Sequence, residues 1–476
     1  MNPTRTPVIL VLTALLSGCV AHPPAPHIPE LPPAFEHGGA AAGSWPSQQW
    51  YRDFGSEELD GLVAAAVQAN TDLAGARARV LQADARARQA GAAILPSVDA
   101  NGTANYLAGH SSQGGGHELD WSALLSASYE VDFWGKNRAT AASARLLAGA
   151  SRADRDALAL TTLAGVANQY FQLLALRERL QVALSNRDVA QQLLAVVQAR
   201  YEAAAASPID LATQKAALDT AEIAIADLQQ AELEARAALS VLLGRPPENF
   251  EVHGQPLDTL HEPQIAAGLP SELLTRRPDI VLAEANLQAA HADLVAARAA
   301  MFPNLSLTAS GGVANPALPA TVLTIPGVGP SFALSANLVQ PIFDHGRLAA
   351  QRAEVQARNE ELLSAYRASI IAALVDVENA LAALSHLNQV RQFESDNLSQ
   401  TERAFEGAQL RYQAGSADFL TLLEAQRGLY GARDQFIQYK LARLQALVGL
   451  CKALGGGWAQ SQLRSDTTPT TVRDTG

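Results

Sequence analysis

The sequence predicts a mainly α-helical chain with membrane β-strands. Long helices pack antiparallel, four β-strands per chain supply the membrane part, and the whole is internally duplicated. Three observations predict it. The first is a repeat: Asp72, Ala76, Ala83, Ala90 and Pro96 return as Asp279, Ala283, Ala290, Ala297 and Pro303. Likewise Val166, Asn168, Asn186, Gln198, Arg200 and Tyr201 return as Val377, Asn379, Asn397, Gln409, Arg411 and Tyr412. A repeat of this length marks a duplicated fold unit, not a solenoid period. The second is a pair of alternating polar–apolar segments in each half. The third is the absence of proline between Pro96 and Pro208 and between Pro341 and Pro469.

The chain opens on Met1–Pro7 with Arg5, then the apolar run Val8–Leu16, then Leu16-Ser17-Gly18-Cys19. This reads as a signal peptide over 1–18, too short to span a membrane as a helix. Small residues before a Cys resemble a bacterial lipobox, which makes Cys19 the acylated first residue of the mature chain. By resemblance to bacterial lipoprotein sorting rules, Val20 rather than Asp after it implies the outer membrane. Residues 19–56 read as lipid anchor and Pro-rich tether, extended and mobile, carrying His22, His27 and His37. The one other cysteine, Cys451, lies in the apolar stretch Leu447–Leu454 and reads as a buried, inert thiol.

The chain is 48% hydrophobic but only 5% aromatic, which suits close-packed helices with small side chains. A net charge of −12 argues against nucleic-acid binding. Beyond Leu16 no long uncharged apolar run marks a transmembrane helix, so any passage through a membrane is made by strands.

The first repeat spans 57–270. A helix starts at Ser56-Glu57-Glu58-Leu59 and runs to Ile94 before Pro96. Strands follow over about 97–132: Val98, Ala100, Gly102, Ala104 and Tyr106 alternate with Asp99, Asn101, Thr103 and Asn105, and a Gly114–Gly116 loop separates them from Trp121, Ala123, Leu125 and Tyr129. Long helices occupy about 136–243. The second repeat spans 271–457, with strands over about 304–341 and long helices over about 346–454. Residues 458–476 form a C-terminal tail. Strands of this length and dyad pattern match outer-membrane strands. Four of them leave two open edges, which lipid cannot satisfy, so the chain must oligomerise to close a barrel.

Each long helix reaches its partner through a tight turn. In the first half it includes Arg200, Tyr201, Ser207, Pro208 and Asp210; in the second, Arg411, Tyr412, Gly415 and Asp418. Ser207 and Asp418 are natural N-caps, Pro208 fits the first helical position and Gly415 a left-handed C-cap.

No constellation points to an enzyme. The His residues are scattered and indicate no metal site. Gly455-Gly456-Gly457 lacks the Lys-Ser/Thr of a phosphate loop, and Arg277-Pro278-Asp279 reads as a helix start. No cofactor is implied. A lipid-anchored coiled-coil adhesin would not need four dyad-patterned strands, and an envelope hydrolase would need a paired-carboxylate or Ser/His cleft.

The run Arg411 to Arg427, Arg277-Pro278-Asp279-Ile280 with Ala283-Glu284, Gln340-Pro341-Ile342-Phe343-Asp344, and Lys452-Ala453-Leu454-Gly455-Gly456-Gly457-Trp458 resemble the TolC-like outer-membrane factor family, in its OprM/NodT lipoprotein branch of RND efflux. The resemblance implies a homotrimer with a 12-stranded barrel, a periplasmic α-barrel and a mixed equatorial domain using 244–270. It implies a passive, gated outer-membrane exit duct of a tripartite efflux system, partnered by a periplasmic adaptor, an inner-membrane transporter and outer-membrane lipid. The cargo would be drugs or other small molecules, with type I protein secretion and metal efflux as alternatives. It further implies a pore gate at Leu420, Glu424 and Arg427 with Tyr412 nearby, and adaptor-contacting tips at Arg200, Tyr201, Ser207, Asp210, Arg411, Gly415 and Asp418. Ala417 and Thr421 depart from the charged residues that some relatives use as a latch.

Overall fold

The computed structural model describes residues 30–38, 44–111, 114–248, 250–315 and 329–458. The signal segment, Cys19, His22, His27 and the tail beyond 458 lie outside the described residues. The order is α1 (Glu57–Ala69), α2 (Thr71–Ala92), β1 (Ser97–Ser111), β2 (Gly114–Val131), α3 (Lys136–Glu202), α4 (Pro208–Leu242), α5 (Pro278–Ala299), β3 (Asn304–Asn315), β4 (Gly329–Val339), α6 (Arg347–Gln413) and α7 (Phe419–Ala453). The duplication is visible in it: α2, β1, β2, α3 and α4 correspond to α5, β3, β4, α6 and α7.

The strands form one antiparallel sheet in the order β1-β2-β3-β4. Its register aligns the alternation across all four. Ala100↔Leu125, Ala127↔Ala309, Tyr129↔Leu307 and Leu305↔Leu338 share the apolar face. Phe332, Leu334 and Leu338 of that face are strongly exposed in the single chain. The opposite face is a hydroxyl and amide ladder. Ser97 and Ser128 meet at 2.8 Å, Thr103 and Ser122 at 2.7 Å, and Asn101 donates to Ser126 at 2.9 Å. Leu124 interrupts the polar face and lies opposite Gly312. A Cβ there would collide with the Ala123 carbonyl and crowd Leu124. The small residue therefore makes room for the large one.

Two local readings are corrected. Gly114–Gly116 is strand, paired with Ser111, His110 and Gly109. The hairpin simply continues through residues that have no side chain to set a face. The first helix is not continuous to Ile94 either. It breaks at Asn70, whose Oδ1 accepts from Leu73 N at 2.9 Å to cap α2. Its Nδ2 donates at 2.8 Å to the carbonyl of Leu242, at the end of α4. One side chain thus satisfies an orphan group on each of two helices.

The two 67-residue helices, α3 and α6, each run roughly 100 Å at 1.5 Å per residue. A carboxylate seats each one where it leaves the sheet. Asp132 accepts from Asn137 N at 3.1 Å and Arg138 N at 2.9 Å. Asp344 accepts from Gly346 N and Leu348 N, both at 3.0 Å. Midway, the helices cross two hydrophobic cores. One gathers Trp50, Phe54, Tyr170, Phe171, Leu239, Val448 and Cys451. The other gathers Phe35, Leu273, Ile280, Ile370, Val377 and Leu454. Burial pushes the Cys451 thiol pKa up, in keeping with an inert core residue. One stretch of α6 reaches a mean hydropathy of 1.5, so by length and composition it could cross a membrane. Its acids are engaged otherwise. Asp376 pairs with Arg277 at 3.0 Å, and that guanidinium also donates to Asp279 at 2.7 Å and to the Ala453 carbonyl at 3.1 Å. Arg277 therefore ties α5, α6 and α7 together.

The tether is the main departure from expectation. Residues 31–38 are not free but strapped to the second core through buried Phe35. Farther on, Ala266 N donates to the Ser44 carbonyl at 3.2 Å, and Trp50 is fully buried. His37 is held by Glu378 of α6. That carboxylate accepts from Glu36 N at 2.7 Å, His37 N at 3.4 Å and His37 Nδ1 at 3.2 Å. Proline composition gave no sign of this, because the partner lies more than three hundred residues away.

Burial acts to raise the Glu378 pKa, but the hydrogen bonds from Glu36 and His37 outweigh it and leave the carboxyl below its ordinary range. A depressed carboxylate contributes stability above its unfolded pKa and loses it as pH falls through the folded one. The protection factors of residues 31–38 against hydrogen exchange should therefore be high at neutral pH and fall as acid protonates Glu378. Glu378→Ala should lose roughly tenfold in protection already at neutral pH. Protection that is the same in acid and in the variant would refute the clamp.

Candidate functional site

The candidate site is the far end of the helix pairs, where α3 turns into α4 and α6 into α7. The first turn is closed by Ala204 N donating to Tyr201 O at 2.9 Å and Ala205 N to Arg200 O at 2.7 Å. Ser207 then caps α4 in a reciprocal box. Asp210 N donates to Ser207 Oγ at 3.1 Å and Ser207 N donates to Asp210 Oδ2 at 2.9 Å, with Pro208 at the first helical position. The second turn closes with Gly415 N on Tyr412 O at 3.1 Å and Ser416 N on Arg411 O at 2.8 Å. Asp418 caps α7 by accepting from Thr421 N at 2.8 Å, and the hydrogen bonds from Thr421 hold its carboxyl below the usual range.

A small core locks the two turns together: Leu193 and Val197 of α3, Ala408 and Tyr412 of α6, Phe419, Leu422 and Leu423 of α7. The Arg200 guanidinium lies 4.7 Å from the centre of the Tyr412 ring, which is tilted against Phe419 at 6.2 Å. Tyr412, grouped with the gate from the sequence, is 4% exposed and belongs to this core. Arg200 is likewise drawn onto it, and Ser207 and Asp210 spend their side chains on capping. Tyr201, Arg411, Gly415 and Asp418 remain at the surface.

Leu420, Glu424 and Arg427 do share one exposed stripe of α7. They fall at i, i+4 and i+7, while Phe419, Leu422, Leu423 and Gln426 face the core. Leu420 is 57% exposed. Among the described residues no ion pair joins Glu424 to Arg427, so both charges are free to meet another chain. Sequence reasoning missed two buried amides, one on α4 and one on α7. Gln214 Nε2 donates to Ala190 O at 2.8 Å, and Gln426 Nε2 to Asn186 Oδ1 at 3.2 Å. A signal was available: Leu211-x-x-Gln214-Lys215 is echoed by Leu423-x-x-Gln426-Arg427.

The two halves of the chain, residues 62–245 and 269–456, each match the outer membrane efflux protein family. The chain belongs to that family. It is 43% identical over 462 residues to the pyoverdine export outer membrane protein OpmQ of Pseudomonas aeruginosa, covering 94% of this chain and 96% of that one. It is 29% identical to the toluene efflux pump outer membrane protein TtgC of Pseudomonas putida, over 96% of each chain. Among solved structures, the open state of the MtrE outer membrane channel of Neisseria gonorrhoeae superimposes with a TM-score of 0.82 at 28% identity, covering 92% of this chain and 98% of that one. This member of the outer membrane efflux protein family is thus an efflux channel of the outer membrane, with the four-stranded sheet and paired long helices of its relatives. The family consists of channel proteins, and the geometry above offers a wall and a tip.

Two measurements probe the tip. Ala204 adopts φ 57°, a left-handed conformation that Gly415 meets at 72° in the other turn. Ala204→Gly should raise thermal stability and Gly415→Ala lower it, each by about 1 kcal/mol. Replacing Glu424 and Arg427 together by Ala should increase single-channel conductance in planar bilayers. Glu360→Ala, on an exposed turn of α6, should not. A wild-type conductance in the double variant would remove the stripe from gating.

Proposed function

We propose that three copies of this chain close a 12-stranded barrel and a continuous helical tube, forming the passive exit duct of a tripartite efflux system. The observation that carries this reading is the sheet. It has an apolar face, a polar face, and two edges, β1 and β4, without a partner strand among the described residues. In lipid such edges must be paired, and another copy supplies the matching edge. The half-exposed Ile371 and Val375 of α6 support the same reading, since an adjoining copy would cover them.

In the assembled duct, Leu420, Glu424 and Arg427 converge with their symmetry mates at the tip and hold it shut. A periplasmic adaptor engages the tips at Tyr201, Arg411, Gly415 and Asp418, with Arg200, Ser207 and Asp210 setting the turns that it meets. An inner-membrane transporter supplies the cargo. Cargo is a small molecule, and similarity to OpmQ puts pyoverdine export first. The duct performs no chemistry. Lipid attached at Cys19 anchors the mature chain.

Detergent-solubilised protein should have the native mass of a trimer, and a stable folded monomer would overturn the duct. Mass spectrometry of the mature N-terminus should find Cys19 acylated. An unmodified N-terminus at another residue would end the anchor reading and leave the duct standing.

A further inference from the structure

The chain contains within itself one example of each contact that a neighbouring copy would make. Between its halves, β2 pairs with β3 and α3 packs on α7. The strands left at the edges are β4 and β1, and the long helices, side by side in the order α4-α3-α7-α6, leave α6 and α4 on the flanks. By the duplication, β4 is the counterpart of β2, β1 of β3, α6 of α3 and α4 of α7.

Two alignments fix the counterpart positions in the sheet. Ser97 follows Pro96 as Asn304 follows Pro303, and Ser128 precedes Gly135 by as many residues as Val339 precedes Gly346. The hairpin registers agree, with Ser97↔Ser128 in one and Asn304↔Val339 in the other. The joint inside the chain pairs Ser126 with Ser310 and Ala123 with Val313. Carried to the free edges, it sets Asn337 opposite Thr103 of the partner subunit and Leu334 opposite Tyr106 of the partner subunit. Polar then meets polar and apolar meets apolar. A slip of one residue would turn Leu334 and Leu338 toward the polar face.

In the helices the same transfer changes the chemistry. The joint of α3 with α7 is ionic: Arg179 donates to Asp434 at 2.6 Å and Lys440 to Glu178 at 3.2 Å. The counterparts of the first pair are Val390 and Ile223, and those of the second are Gln389 and Gln229, with no charge among them. Leu160 of α3 and Lys452 of α7 line one cleft, and their counterparts are Ile371 and Val241. Ile223 is 62% exposed, Val241 71% and Ile371 52%. Apolar side chains thus stand bare on both flanks at the positions that the duplication would bring together.

We propose that copies of this chain join by repeating its internal joint. In the sheet, β4 pairs with the next copy's β1, Asn337 lying opposite the partner's Thr103. In the helices, α6 packs on the next copy's α4, Val390 against the partner's Ile223 and Ile371 against the partner's Val241. This joint presupposes the trimer proposed above and adds its faces, its register and its chemistry. Passing one edge to the opposite edge closes a ring, whereas a two-fold joint would spend one edge on itself and leave the other bare. The tube then has two kinds of seam, a charged one inside each chain and an apolar one between chains, as suits obligate partners.

Cysteine pairs in the full-length protein test the register. In one chain Thr103 and Asn337 stand three strand spacings apart, roughly 14 Å, too far for a disulfide, so a link joins two copies. Thr103→Cys with Asn337→Cys should oxidise to a covalent trimer on denaturing gels. Asn101→Cys or Asn105→Cys with Asn337→Cys should link about tenfold less, and wild type, with its own Cys19 and Cys451, should not link. Stronger linking at Asn101 or Asn105 overturns the register. No linking in any pair, in protein of trimeric native mass, overturns the joint and leaves the trimer standing; a monomeric wild type ends both. For the helices, Ile223→Asp and Val390→Arg should each lower the temperature at which the trimer dissociates in detergent, and the double variant should recover it by recreating the Arg179–Asp434 pair. Should a single variant not assemble at all, recovery in the double still decides the matter. Single variants that match wild type, or a double no better than either, overturn the helical joint.

Discussion

A sheet with an apolar face and two edges that no other described strand pairs constrains everything else in this chain. Backbone N–H and C=O groups at an edge can be left to water, but not to hydrocarbon, where each costs several kcal/mol. A strand pair with exposed Phe332 and Leu334 on one side and a Ser/Thr/Asn ladder on the other is suited to a wall between lipid and water, and to little else. Once the wall must close through copies of itself, the helices that follow each hairpin have to continue it as staves. Two 67-residue helices then need a seat at the membrane end, and Asp132 and Asp344 provide one by capping them where they leave the sheet. They need a brace at mid-length, which the cores around Tyr170 and Ile370 and the Arg277 junction provide.

What was legible in the sequence follows from the range over which each signal acts. Alternation at Val98–Tyr106 and at Phe332–Leu338 fixes which residues share a face, so the sheet was readable from it. Ser207-Pro208-Ile209-Asp210 encodes its own capping box within four residues. The duplication exposed the architecture because each half is a copy of the other. The break at Asn70 was hidden, since the reason for it is the carbonyl of Leu242 on another helix. The strap was hidden for the same reason: Glu378 acts on Glu36 and His37 across the whole fold. At the tip, Leu420, Glu424 and Arg427 were singled out by the family resemblance, and their i, i+4, i+7 spacing puts them on one exposed stripe. The burial of Tyr412 did not, because a ring at a helix end can face either way until Arg200 and Phe419 close over it.

The two halves have not remained equivalent, and their differences place the compliant part of the molecule. Along α3, fully buried residues recur from Ala141 to Val197, so the helix is held over nearly its entire length within one chain. Along α6 they stop at Val377 and resume only at Ala408. About 45 Å of helix, at 1.5 Å per residue, therefore has no fully buried anchor in its own chain. Segments with few buried apolar contacts are those that open or bend at low free energy. The turns differ in the same sense. The first is closed by a reciprocal box and a proline, the second by Asp418 alone after a glycine. A tip made from both repeats would thus pair a fixed stave with a yielding one. The exposed stripe proposed as the gate lies on α7, the immediate neighbour of the yielding helix, and small shifts of α6 and α7 against a firm α3 and α4 would move Leu420 and Glu424 without disturbing the sheet or the equator.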